Sequence, residues 1–100
     1  MWLGIDFLII WNSIRLSVPT VGGISPTSGL DDGDTLVTIT GTGFTEATAV
    51  NFGNNQATNL NVVSDSSITV TSPAGTGTID ITVTAPAGTS ATSSNDQFTY

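Results

Sequence analysis

The side chains able to do chemistry here are few and nearly all of one kind. The 100-residue chain carries eight acids against one base, for a net charge of −7, and has no His and no Cys. That base, Arg15, lies in the opening segment. From Pro19 to Tyr100 the charged groups are Asp31, Asp32, Asp34, Glu46, Asp65, Asp80 and Asp96. Activating a nucleophile near neutral pH requires an adjacent base or a depressed pKa, and without His, Lys or Cys this stretch supplies neither. Carboxylates alone can cleave glycosides when two flank a cleft. These acids are scattered over loops and outer faces, so the expectation is a protein that is not an enzyme.

Asp31, Asp32 and Asp34 form the densest polar cluster, in Leu30-Asp31-Asp32-Gly33-Asp34. Three carboxylates so close could hold a hard cation such as Ca²⁺ through oxygen ligands. Their spacing is not that of the D-x-[DN]-x-[DN]-G calcium loop. The competing reading is a solvated turn, where Asp and Gly are favoured for their backbone conformations. The charge balance also excludes partners. Nucleic acid needs Lys or Arg to displace phosphate counterions, and an anionic membrane surface repels such a domain.

The elements that must carry these groups read as strands. After Pro19, short runs of β-branched residues alternate with small polar ones, punctuated by Gly, Pro, Asn and Asp. Strands are expected near 20–25, 35–40, 47–53, 56–63, 67–72, 78–85 and 91–99, with essentially no helix and no internal repeat. Alternation selects an inward face of Val37 and Ile39; Val50 and Phe52; Leu60 and Val62; Ile68 and Val70; Ile79, Ile81 and Val83; Phe98 and Tyr100. About seven short strands at this spacing predict an all-β, two-sheet sandwich. Pro26 should end the first strand, and Gly41 and Gly43 should serve a bend or a close backbone approach. Phe44 should plug the core beneath that bend, and Asn54-Asn55 should form a hairpin turn.

Several landmarks fall in order: Ile24-Ser25-Pro26, Gly29, the VTITGTGF run, Val50-x-Phe52-Gly53, Ser64-Asp65-Ser66, Ser72-Pro73, Gly77-Thr78 and Phe98-x-Tyr100. Together they make residues 19–100 resemble an IPT/TIG domain, which implies an immunoglobulin-like β-sandwich. Domains of this kind accompany some starch-active enzymes, where the resemblance implies a spacer more than a sugar binder. Others occur in receptor ectodomains and in Rel-type transcription factors, a role the missing basic residues disfavour here. The Thr-, Ser-, Gly- and Asn-rich composition best matches surface proteins, so an extracellular setting on a cell or virion is expected.

Residues 1–18 differ in kind. Trp2, Leu3, Ile5, Phe7, Leu8, Ile9, Ile10 and Trp11 crowd together, followed by Ile14, Leu16 and Val18. A secretory signal would need a basic start and a small-residue cleavage site, and a membrane helix needs ~20 largely apolar residues. Asp6, Asn12, Ser13 and Arg15 interrupt the run, so direct membrane insertion is not expected. A helix remains open, because Leu3, Phe7, Ile10, Trp11, Ile14 and Val18 keep helical spacing. A strand reading fits residues 12–18, which alternate polar and apolar. Burying five or six of these side chains is worth on the order of 10 kcal/mol, at ~1.5–3 each.

The leading expectation is therefore a non-catalytic structural protein, an oligomer or polymer, with residues 1–18 as an apolar arm. That arm would enter a neighbouring subunit through Phe7, Leu8, Ile9, Ile10, Trp11, Ile14 and Leu16; the competing reading is an extra strand or helix that covers its own domain. The alternative is a glycan- or calcium-binding accessory domain, or an Ig-like spacer, of a larger surface protein.

Overall fold

The computed structural model describes residues 18–100. Nine strands are present among them: β1 (Thr20–Ser25), β2 (Leu36–Thr42), β3 (Ala49–Phe52), β4 (Asn55–Gln56), β5 (Thr58–Ser64), β6 (Ser67–Thr71), β7 (Thr78–Ala85), β8 (Gly88–Thr89) and β9 (Gln97–Thr99). One sheet runs β1-β2-β6-β5, the other β4-β3-β7-β8, and β9 also pairs with β7. Every strand-to-strand ladder is antiparallel. The result is an all-β, immunoglobulin-like sandwich, and the one helical element described is a 3-10 turn at Ser94–Asp96.

Period-two alternation explains why these segments pair as they do. In β2, β6, β3 and β7 the inward positions Val37, Ile39, Ile68, Val70, Val50, Phe52, Ile81 and Val83 are buried, while Thr and Asn between them face outward. A one-residue slip would turn each of these rows towards water, so register is strongly set. Phe44 is fully buried and closes one end of this core. Its bend is fixed by Asp65, whose carboxylate accepts from Gly43 N, Thr45 N and Thr45 Oγ1. Gly41 stands where β1 and β2 approach most closely, since a Cβ there would collide with the carbonyl of Thr20 and, at 2.8 Å, with the Phe44 ring.

The chain changes sheets after β1. The Ser25–Pro26 peptide is cis, and beyond it Ser28 forms a parallel bridge with Thr99 of β9. Gly29 N donates to Thr99 O at 3.0 Å and Thr99 N to Thr27 O at 2.9 Å. One segment thus ties both sheets together.

Three details depart from the sequence reading. The stretch 91–99 is not one strand. It divides into a connection after β8, the 3-10 turn and β9, because Ser93 and Asp96 form a reciprocal capping box that favours a turn. Leu60 and Val62 are only half-buried and pack against the core margin, since β5 is an edge strand whose register shifts twice along β6. The hairpin turn falls at Gly53-Asn54 instead of Asn54-Asn55. Phe52 pairs with Asn55, and Gly53 takes φ +64°, a conformation glycine adopts without Cβ strain.

Candidate functional site

Three loops meet at the end of the sandwich where β3, β6 and β7 turn. Between them opens a groove of about 550 Å³, lined chiefly by Asp31, Asn54, Asn55, Thr76, Ile79 and Tyr100, with Phe52 at its base. Each part has a local cause. The Gly53-Asn54 hairpin carries both Asn side chains to the rim. The β6–β7 connection supplies Thr76. Phe98 and Tyr100 share one face of the last segment, so that as Phe98 fills the core, Tyr100 reaches its edge.

Hydrogen bonds hold the frame. Gly75 N donates to Asp31 O at 3.0 Å, and Asp34 N to Ser72 O at 2.9 Å. Buried Ser72 also accepts Thr35 N on its Oγ at 3.0 Å. Asn55 Nδ2 donates to Ala74 O at 3.2 Å, and Tyr100 Oη donates to Pro73 O at 2.8 Å. Phe52, Phe98 and Tyr100 form an edge-to-face series, each ring centroid 5.2 Å from the next. Burial pushes the Tyr100 phenol above its usual pKa, so it stays a neutral donor.

The groove therefore offers amides, the hydroxyls of Thr76 and Tyr100, one carboxylate and part of an aromatic ring, on a backbone fixed from three sides. It holds no base–nucleophile pair and no cation. Such a surface suits a neutral, hydroxyl-rich ligand, for which a few placed polar groups and an aromatic contact supply orientation.

Of the acidic cluster, only Asp31 reaches this groove. Asp32 and Asp34 lie exposed on the turn, where Gly33 N donates to Leu30 O. Among the described residues no three His, Cys, Asp or Glu side chains are arranged to hold a metal ion, and Asp31, Asp32 and Asp34 are included in that statement. The arm residues Phe7, Leu8, Ile9, Ile10, Trp11, Ile14 and Leu16 lie outside the described residues. Turn propensity alone marks Asn54 and Asn55 as a turn, and alternation marks Tyr100 as core. The signal that they form one site is long-range: an Asn pair at a hairpin tip becomes a rim only when the β6–β7 loop and the final aromatic are brought beside it.

A second polar feature sits apart from the groove. Asp96 is fully buried and accepts Ser93 N on Oδ2 at 3.1 Å, and burial together with the Asp80 carboxyl of β7 raises its pKa.

Comparison with known proteins agrees with this architecture. The profile of the IPT/TIG domain matches residues 19–100. No curated protein sequence matches the chain. One similar solved structure is the gamma-CGTase of the alkalophilic Bacillus clarkii, with TM-score 0.68 and 30% identity, covering 83% of this chain and 12% of that one. Another is SGBP-B from a complex xyloglucan utilization locus in Bacteroides uniformis, with TM-score 0.64 and 25% identity, covering 76% of this chain and 22% of that one. The chain thus spans about an eighth and about a fifth of these two proteins.

Proposed function

Because the chain belongs to the IPT/TIG domain family, we propose that residues 19–100 work as a non-catalytic, Ig-like accessory module of a larger secreted or surface protein that handles polysaccharide. In this reading the groove bounded by Asn54, Asn55, Thr76 and Tyr100 makes a weak contact with a neutral glycan. The observation that carries the reading is the groove's chemistry: amide and hydroxyl groups, with the single carboxylate of Asp31, beside an aromatic ring, held by Asn55–Ala74 and Tyr100–Pro73 bonds. The two structural neighbours support it, one a gamma-CGTase and the other from a xyloglucan utilization locus. The extracellular setting is part of the same proposal and rests on these neighbours and on the composition.

Affinity electrophoresis through gels containing xyloglucan or soluble starch tests the contact. The expected result is retardation of the wild-type chain in at least one gel, reduced by Asn54→Ala and by Thr76→Ala, both at exposed positions. Free migration in every neutral polysaccharide would overturn glycan contact and leave the module as a spacer.

Self-assembly is a second reading, favoured by the apolar crowding of Phe7, Leu8, Ile9, Ile10 and Trp11 in the sequence. Filaments or large oligomers of the full chain under electron microscopy, lost on deletion of residues 1–18, would support it. A monodisperse monomer would refute it.

A further inference from the structure

Asp96 is the one side chain among the described residues with a buried polar atom lacking any partner, its Oδ1. A buried, unsatisfied carboxylate oxygen is costly, and native folds rarely leave one without a reason. Its surroundings narrow the reason. Oδ2 is engaged by Ser93 N in the capping box of the 3-10 turn. The elements packed against that turn are β1, which carries no titratable group, and β7, which contributes Asp80. Asp80 is opposite Gln97 in the β7–β9 ladder, so its strand lies beside Asp96 in the next position of the chain. No cation from the described residues can enter, because residues 18–100 contain no Lys, Arg or His. Two ionised carboxylates are both acceptors. A hydrogen bond between them exists only when one of the two carries a proton.

We propose that Asp96 and Asp80 share one proton through Asp96 Oδ1, forming an acid-closed clasp that holds the 3-10 turn and β9 against β7. When the proton leaves, two anions face each other with no counter-ion, and the clasp becomes repulsive. Burial first, and the Asp80 carboxyl second, push the Asp96 pKa from 3.8 up to about 6. The folded chain therefore keeps a proton in a window where the unfolded chain has already released it. Stabilisation by the clasp is complete below 3.8 and is lost as pH rises through about 6.

The test is thermal melting of the full chain between about pH 4 and pH 8 for wild type, Asp96→Asn and Asp80→Asn. An Asn at either position keeps an oxygen acceptor and adds an N–H that can bridge to the remaining carboxylate without a titrating proton. The melting temperature of the wild type is expected to fall by several degrees from acid to neutral pH, on the order of 4 °C or more for a domain of this size. Asp96→Asn should flatten most of that fall and melt above wild type near pH 8. Carboxyl ¹³C titration of the wild type reads the same pair without mutation, and an Asp96 midpoint well above that of the exposed Asp32 is expected. Parallel melting curves for wild type and Asp96→Asn would overturn the clasp. So would an Asp96 midpoint equal to that of Asp32, which decides the matter even if the variants fail to fold.

Discussion

Replacing Phe98 separates aromatic geometry from plain apolar burial. Its ring is fully buried and sits edge-to-face between Phe52, at 74°, and Tyr100, at 82°. A phenylalanine buries ~150–250 Å², which at ~25 cal/mol/Å² gives ~4–6 kcal/mol, close to the ~3–5 kcal/mol typical of buried Phe→Ala changes. Phe98→Ala should therefore remove about 4 kcal/mol, a large share of the ~5–15 kcal/mol that stabilises a domain. Phe98→Leu retains most of the apolar volume and forfeits two edge-to-face pairs of ~0.5–1.5 kcal/mol each, so it should lose about 1–3 kcal/mol. Urea unfolding followed by circular dichroism measures both. With a slope of ~1–3 kcal/mol/M, the alanine variant should move the midpoint by about 2 M and the leucine variant by about 1 M. A leucine variant as stable as wild type would refute any contribution from the aromatic series. A loss below about 2 kcal/mol for alanine would refute the central place given to Phe98 in the core.

Gly41→Ala forces a methyl group into the Thr20 carbonyl and the Phe44 ring. A loss of about 1–3 kcal/mol or more is expected in the same unfolding assay, by analogy with other overpacked sites. Ser90→Ala removes the hydroxyl that accepts Val83 N at 2.9 Å in a buried setting. It should cost about 1–3 kcal/mol, as for other orphaned backbone donors, whereas exposed Ser66→Ala should stay within about 0.5 kcal/mol.

The sequence made the sandwich legible because its signal is local. Alternation in TLVTIT, SITVT and TIDITVTA marks the inward rows, and β1 and β7 have the expected bounds of 20–25 and 78–85. The departures fall where side chains take over work from the backbone. Ser90 Oγ completes the β7 edge that a strand residue would otherwise serve, and Ser93 with Asp96 turns the chain before β9. Neither event has a period, so neither shows in a pattern of apolar residues. The groove was illegible for a different reason. Asp31, Asn55, Thr76 and Tyr100 come from separate loops, and only the fold makes them neighbours. Asp96 reads as one more surface acid because its burial arises only when the 3-10 turn packs against β1 and β7, both distant in sequence. The acidic turn shows the converse: Asp31, Asp32 and Asp34 are adjacent in sequence, yet only Asp31 lines the groove.

The parallel bridge between Ser28 and Thr99 has a mechanical meaning. Tension applied to such a module within a longer protein would pull the segment after β1 and the segment of β9 in opposite directions along their shared axis. The bonds from Gly29 N to Thr99 O and from Thr99 N to Thr27 O then lie across the load and must break together in shear, instead of opening one at a time like a zipper. Resistance to pulling is governed by the unfolding rate, not by equilibrium stability. A small domain joined in this way can therefore transmit force along a longer chain while remaining only marginally stable at rest.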